Sequence, residues 1–188
     1  MSILIAIATA HNTTRDIAQR IATRLGTFHP TLNKKIDVLD VASVPPSSLP
    51  TYDAIIVGSA VHMQRWLSPA RSFIHQNRQV LAAANKPTAV WAFSVGVPET
   101  AEHAAKEAAK IEGEIKRDVP GLRGHVLFKG RIEREHLPWP VRVYFRWFPG
   151  TAEFGDFVEW ERVDEWADVV GREVMNGGGG DGGKPAEE

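Results

Sequence analysis

The chain of 188 residues contains no cysteine. That absence excludes disulfides, thiolate metal centres and cysteine nucleophiles together, and it accords with a reducing, cytoplasmic setting. Long apolar runs are also missing, since none approaches the roughly 20 residues that cross a bilayer. The apolar start, Met1–Ala8, has no basic leader and reads as a strand rather than a signal peptide. Neither sign of charge is in excess: 22 Lys and Arg stand against 23 Asp and Glu, for a formal net charge of -1. A nucleic-acid partner or an acidic substrate therefore has no global electrostatic basis. Seven histidines are present, but no HExxH or comparable spacing, so no metal site is expected. The dinucleotide signature GxGxxG and the lysine-bearing Walker loop are absent as well.

What is present is a chain that is 43% hydrophobic, enough for one domain with a substantial core. Short β-branched runs at Ile3–Ala8, Ile36–Leu39, Ala54–Val57, Ala89–Ser94 and Gly124–Phe128 read as strands, the third ended by Gly58 and Ser59. Between them lie helical spacings. Ile17, Ala18, Ile21, Ala22 and Leu25 precede Gly26; Ala70, Phe73, Ile74, Asn77 and Leu81 follow the start signal Ser68-Pro69; and Ala101, Ala104, Ala105, Ala108, Ile111 and Ile115 mark a third. Val163, Trp166, Val170 and Val174 mark the last helix. Strands alternating with helices predict a parallel sheet covered on both faces, with the five-stranded order 2-1-3-4-5. The expected domain spans residues 1–176, and the Gly-rich polar stretch 177–188 has nothing to bury and reads as disordered.

Ligands of such sheets bind beyond the carboxyl ends of the strands. Here those ends are loops 9–14, 58–66, 94–99 and 129–137. The first, Thr9-Ala10-His11-Asn12-Thr13-Thr14, joins a strand to a helix, so a phosphate there meets free N–H groups and the positive end of the helix. Thr9, Thr13 and Thr14 add hydroxyls, and Asn12 tolerates a left-handed backbone. The plainer reading is that Thr13 or Thr14 caps the helix.

The pattern Thr9-x-His11-Asn12-x-Thr14-x-x-Ile17-Ala18 resembles the FMN phosphate loop of flavodoxins, with His11 in place of a hydroxyl residue and Asn12 in place of glycine. Tyr52–Val61, the following Ser68-Pro69-Ala70 and Phe73, Phe93-Ser94-Val95, Gly155-Asp156-Phe157 and Trp166-Ala167 resemble, in order, the menaquinone-dependent protoporphyrinogen oxidase branch of that family. The resemblance covers about residues 2–175 and implies a flavodoxin-like fold, one FMN, and oxidation of a protoporphyrinogen-like substrate with electrons passing to a quinone. On that reading Ala60, Val61, His62, Arg65 and Trp66 form the second flavin loop, with Trp66 or His62 flanking the ring and Arg65 stabilising reduced, anionic flavin. Ser94, Val95 and Gly96 cover the other edge through their backbone. Trp66 has an alternative in packing against the helix that starts at Ser68. No general base is assignable.

Residues 123–149 interleave Arg123, Lys129, Arg131, Arg134, Arg142 and Arg146 with Trp139, Tyr144, Phe145, Trp147 and Phe148. The branch resembled carries such an insertion, and 131–149 is a candidate contact for a quinone, a porphyrin carboxylate or an anionic membrane surface. Packing over the sheet edge is the alternative. Two other functions stay open: a non-enzymatic electron carrier and a cofactor-free binding module. Ala92-Phe93-Ser94-Val95-Gly96 lacks the first glycine of a G-x-S-x-G nucleophile elbow, although His103, His125 and His136 follow as possible bases. The missing glycine and the short chain weigh against a hydrolase.

Overall fold

The structure, a computed structural model, describes residues 1–10, 12–27, 35–83, 88–98, 100–132 and 155–177. In chain order the elements are β1 (Ser2–Ala8), α1 (Thr13–Thr27), β2 (Lys35–Asp40), two short 3-10 turns, β3 (Ala54–His62), β4 (Arg65–Trp66), α2 (Ser68–Leu81), β5 (Ala89–Gly96), α3 (Ala101–Asp118), β6 (Leu122–Lys129), β7 (Arg131–Ile132), β8 (Gly155–Asp156) and α4 (Trp160–Gly177). The main parallel sheet has the order β2-β1-β3-β5-β6, so the five strands read from the sequence pair as expected.

The strands are apolar on both faces because helices cover both. Successive residues feed two separate cores, as a side-chain period of two requires. Ile3, Ile5 and Ile7 join Ile17, Ile21, Val163, Ala167 and Val170 of α1 and α4 on one face. Leu4, Ala6 and Ala8 join Phe73, Ile74, Ile111 and Ile115 of α2 and α3 on the other. The last helix is clasped to the first by two bidentate pairs. Arg20 meets Asp164 at 2.7 and 2.6 Å, and Arg24 meets Asp168 at 2.7 and 2.8 Å. Hydrogen bonds from the guanidinium groups hold both carboxyls below the usual carboxylate range. Such exposed pairs fix orientation more than they add stability.

Four sequence expectations need correction. β3 does not stop at Gly58 and Ser59; it runs to His62. The segment expected to be a loop, 60–66, is a hairpin in which Val61 pairs with Trp66 and His62 with Arg65. Its turn places Met63 and Gln64 at φ 50° and 59°. Two consecutive left-handed residues make the tight connection that matches strand twist, normally the work of Asn and Gly, so the sequence gives no turn signal there. Ser68 does not cap α2. It is the first helical residue, and its Oγ accepts from Arg71 at 3.2 Å. β5 extends to Gly96, two residues beyond the expected end. The expected tail begins at Gly177, which closes α4; 178–188 lie outside the described residues.

Candidate functional site

Register brings the loops together. Ala8 of β1 stands beside Ser59 of β3, Ser59 beside Ser94 of β5, and Ser94 beside Leu127 of β6. The chain segments that follow these residues therefore leave the sheet at one edge. Of the expected site residues, Thr9, Asn12, Thr13 and Thr14 follow β1; Ala60, Val61, His62, Arg65 and Trp66 follow or extend β3; and Ser94, Val95 and Gly96 end β5. His11 lies outside the described residues.

The first loop ends in the opening turn of α1, where the Asn12 carbonyl accepts from the Asp16 amide at 2.9 Å. The first amides of a helix have no partner within it. Thr14 is 1% exposed, and its Oγ1 is buried without a hydrogen-bond partner among the described residues. A capping threonine would use that oxygen; Thr14 does not, so its hydroxyl is left available as a donor. A buried hydroxyl without a partner is costly, and the arrangement suits an anion received by main-chain amides and this hydroxyl. FMN has such an anion in its phosphate, so the donor set fits that cofactor.

No lysine lies in the loop, but a cation arrives from elsewhere. Arg131 of β7 is 2.7 Å from Asp156 and 3.9 Å from Asp16 in the first turn of α1. The β7–β8 pair holds it there, with Arg131 opposite Asp156. A hydrogen bond from Arg131 keeps the Asp156 carboxyl below its ordinary range, and Asp156 also accepts from the Val158 amide at 3.1 Å. The sequence shows Arg131 within the basic segment but carries no sign of its nearness to the first loop, because the juxtaposition depends on two-residue strands with no signature. Residues 133–149 of that segment lie outside the described residues.

The second loop differs from expectation in its side chains. Trp66 is 3% exposed and belongs to the core on the α2 and α3 face, so its ring does not flank a ligand at the loop edge. Its Nε1 donates to Ser94 Oγ at 2.7 Å, and the same oxygen lies 2.8 Å from His125 Nε2. Arg65 lines a groove between α2 and α3. His62 and Met63 are exposed, Met63 by 85%. Left-handed non-glycine residues cost roughly 1 kcal/mol or more each. Gln64→Gly should therefore raise the denaturation midpoint by the equivalent of about 1 kcal/mol; an unchanged or lower midpoint would show that the Gln64 side chain holds the turn.

In the third loop, the Gly96 carbonyl accepts from the Gly130 amide at 2.8 Å. A Cβ on Gly96 would lie 3.1 Å from Glu107 Oε1, so a larger residue would crowd this edge. Burial raises the Glu107 carboxyl above its ordinary range, with Lys110 opposing.

Ser94 and His125 thus form the serine–histidine contact that the elbow-like sequence raised. It is not a nucleophilic site. Ser94 is 0% exposed, its oxygen is taken by Trp66, and His125 Nδ1 is buried without completing a hydrogen bond among the described residues. The triad logic needs an accessible hydroxyl and an oriented base. Instead the network ties β4, β5 and β6 together beneath the loops. Burial lowers the His125 pKa from 6.5 to about 4, with the Glu112 carboxylate and Ala108 carbonyl opposing in part. A histidine whose folded pKa lies below its unfolded value stabilises the fold above the unfolded pKa and loses that contribution as protonation favours unfolding. Stability should fall as pH drops from about 6.5 to about 4, by about 3 kcal/mol. His125→Phe should flatten that window in urea titrations; an unchanged slope would assign the pH dependence to other groups. Among the described residues no cluster of metal-ligating side chains occurs, and no helix is long and apolar enough to cross a membrane.

The family model described as flavodoxin domain matches residues 4–147. No curated protein matches the chain. Among solved structures, a flavodoxin from the domain Archaea is 15% identical with a TM-score of 0.60, covering 93% of this chain and 99% of that one. Flavodoxin 2 from Bacillus cereus is 19% identical with a TM-score of 0.57, over 94% and 99%. Rubredoxin oxygen:oxidoreductase from Desulfovibrio gigas is 13% identical with a TM-score of 0.61; the match covers 93% of this chain but 36% of that larger one. At these identities the likenesses show the fold alone.

Proposed function

The chain belongs to the flavodoxin domain family, and from that premise we propose that it holds one FMN at the carboxyl edge of the sheet and serves as an FMN-dependent oxidoreductase. The observation that carries the cofactor reading is the buried Thr14 hydroxyl, unpartnered among the described residues at the turn from the first strand into its helix. When bound, FMN supplies reversible acceptance of two electrons. The protein supplies the rest. Thr14 and the first amides of α1 receive the phosphate. Arg131, between Asp156 and Asp16, offsets their negative charge beside the loop, and the backbones of 60–62 and 94–96 line the ring. The Trp66–Ser94–His125 network fixes the strand ends from which two of those segments leave.

For the finer reaction, the sequence resemblance supports the protoporphyrinogen oxidase branch. Two electrons and two protons leave a reduced, protoporphyrinogen-like substrate, and a quinone receives them to become a quinol. The basic aromatic stretch 131–149 supports contact with the quinone or an anionic membrane surface, since a strict electron carrier tends to present an acidic face.

The deciding experiment is an absorbance spectrum of the purified protein, mass identification of any flavin released on denaturation, then turnover with protoporphyrinogen and a menaquinone analogue. Bound FMN with turnover supports the full reading. Bound FMN without turnover leaves a carrier. Failure to bind FMN even when it is supplied in excess overturns the reading and leaves a binding module.

A further inference from the structure

A second concavity lies between α2 and α3, with a volume of about 390 Å³ and with Arg65 and Trp66 of β4 in its wall. That volume is at the lower end of small-ligand sites. Its apolar lining comes from Trp66, Ile74, Ile111 and Ile115. Arg20, Arg24, Arg131 and Arg162 each meet a carboxylate. Arg65, Arg71 and Arg117 all line the groove, and none of them has a carboxylate within ion-pair distance among the described residues; Arg71 reaches only the Ser68 hydroxyl. Two acids share the groove. Glu114 and Asp118, the latter 3.2 Å from the His75 ring, stand against three guanidinium groups. The local balance therefore favours an anion.

We propose that the α2–α3 groove binds a small amphipathic carboxylate, with its apolar body against the isoleucines and Trp66 and its carboxylate held by the arginines. The planar fork of a guanidinium matches a carboxylate in a way that an ammonium does not. The apolar lining selects against a bare inorganic anion. The size selects a single ring system or short chain. The site shares no residue with the α1 loop, although Arg65 and Trp66 also belong to the second loop of the nucleotide reading. It does share Trp66 with the hydrogen bond to Ser94, so an occupant would adjoin the network beneath the flavin loops.

The test is titration of the full chain with 2-naphthoate, followed by NMR at the Trp66 indole N–H and the methyl groups of Ile74, Ile111 and Ile115. 2-Naphthol serves as the neutral control of the same shape. Saturable binding is expected, with shifts at those groups and affinity at least ten-fold weaker for naphthol. Arg65→Gln together with Arg117→Gln should weaken naphthoate binding ten-fold or more, and Arg71→Gln alone should weaken it less. All three arginines are outside the core, so these variants should keep the parent denaturation midpoint. Thr14→Val should leave naphthoate binding unchanged, which separates this site from the phosphate loop. Equal affinity for naphthol, no loss in the arginine variants, or shifts confined to residues 9–14 would overturn the proposal.

Discussion

Thr14→Val should make the apoprotein more stable and its FMN complex weaker. The two signs come from one atom. Thr14 Oγ1 is buried without a partner among the described residues, and an unsatisfied buried hydroxyl costs about 1–3 kcal/mol. Valine keeps the shape and removes the oxygen, so the apoprotein should gain about 1 kcal/mol in a urea titration. With FMN present the hydroxyl becomes a donor to a charged phosphate, a bond worth roughly 1.5–3 kcal/mol, and its loss should weaken affinity about 10-fold to 100-fold in a flavin titration. Adding Thr9→Val should weaken it further. If Thr14 were an ordinary cap, the variant would lower stability and leave flavin affinity alone; that pair of results would remove the phosphate assignment.

Gly58→Val should destabilise the fold by about 3 kcal/mol or more, and Gly58→Ala by about 1–3 kcal/mol, as overpacking does in a tight core. A Cβ on Gly58 would lie 2.1, 2.3 and 2.8 Å from three carbons of the Phe93 ring. The ring cannot easily withdraw. Phe93 is 0% exposed and is wedged edge-on against Trp166 at 6.3 Å and beside Phe128 at 6.1 Å. Shrinking the neighbour supplies the test. Phe93→Leu alone should be destabilising, yet combined with Gly58→Ala it should recover part of the alanine penalty, giving a coupling energy of about 1 kcal/mol in a double-mutant cycle. Simple additivity would mean that the Gly58 backbone, not the ring, sets the requirement.

That glycine also shows where sequence reading stops. Gly58-Ser59 has the composition of a strand end, and was read as one, because local composition carries no sign of an aromatic ring 35 residues later in the chain. The five main strands were legible because each is a short β-branched run, and their order followed from alternation with helices. Thr14 is legible as a candidate phosphate donor from its place between a strand and a helix. For Trp66 the packing alternative holds over the ring-flanking one; the Val61–Trp66 pairing that turns it inward depends on a turn built from Met63 and Gln64, neither a turn former. Ser94 and His125 were read as a possible nucleophile and base, but only burial shows that the hydroxyl is sealed. Arg131 needed the β7–β8 pair, and the α2–α3 groove needed two helices brought side by side. Each miss is a contact between residues far apart in the chain, to which periodicity and composition are blind.

The clasp between α1 and α4 has a consequence for synthesis. The helix that opens onto the candidate phosphate loop is made early, yet Ile17 and Ile21 share their core with Val163, Ala167 and Val170, which leave the ribosome long after it. Until those residues emerge, one side of that core is wet and the arginines at 20 and 24 lack their aspartates. A nascent chain arrested before residue 160 should therefore be protease-sensitive and unable to retain nucleotide, with competence arriving abruptly as the final helix clears the exit tunnel.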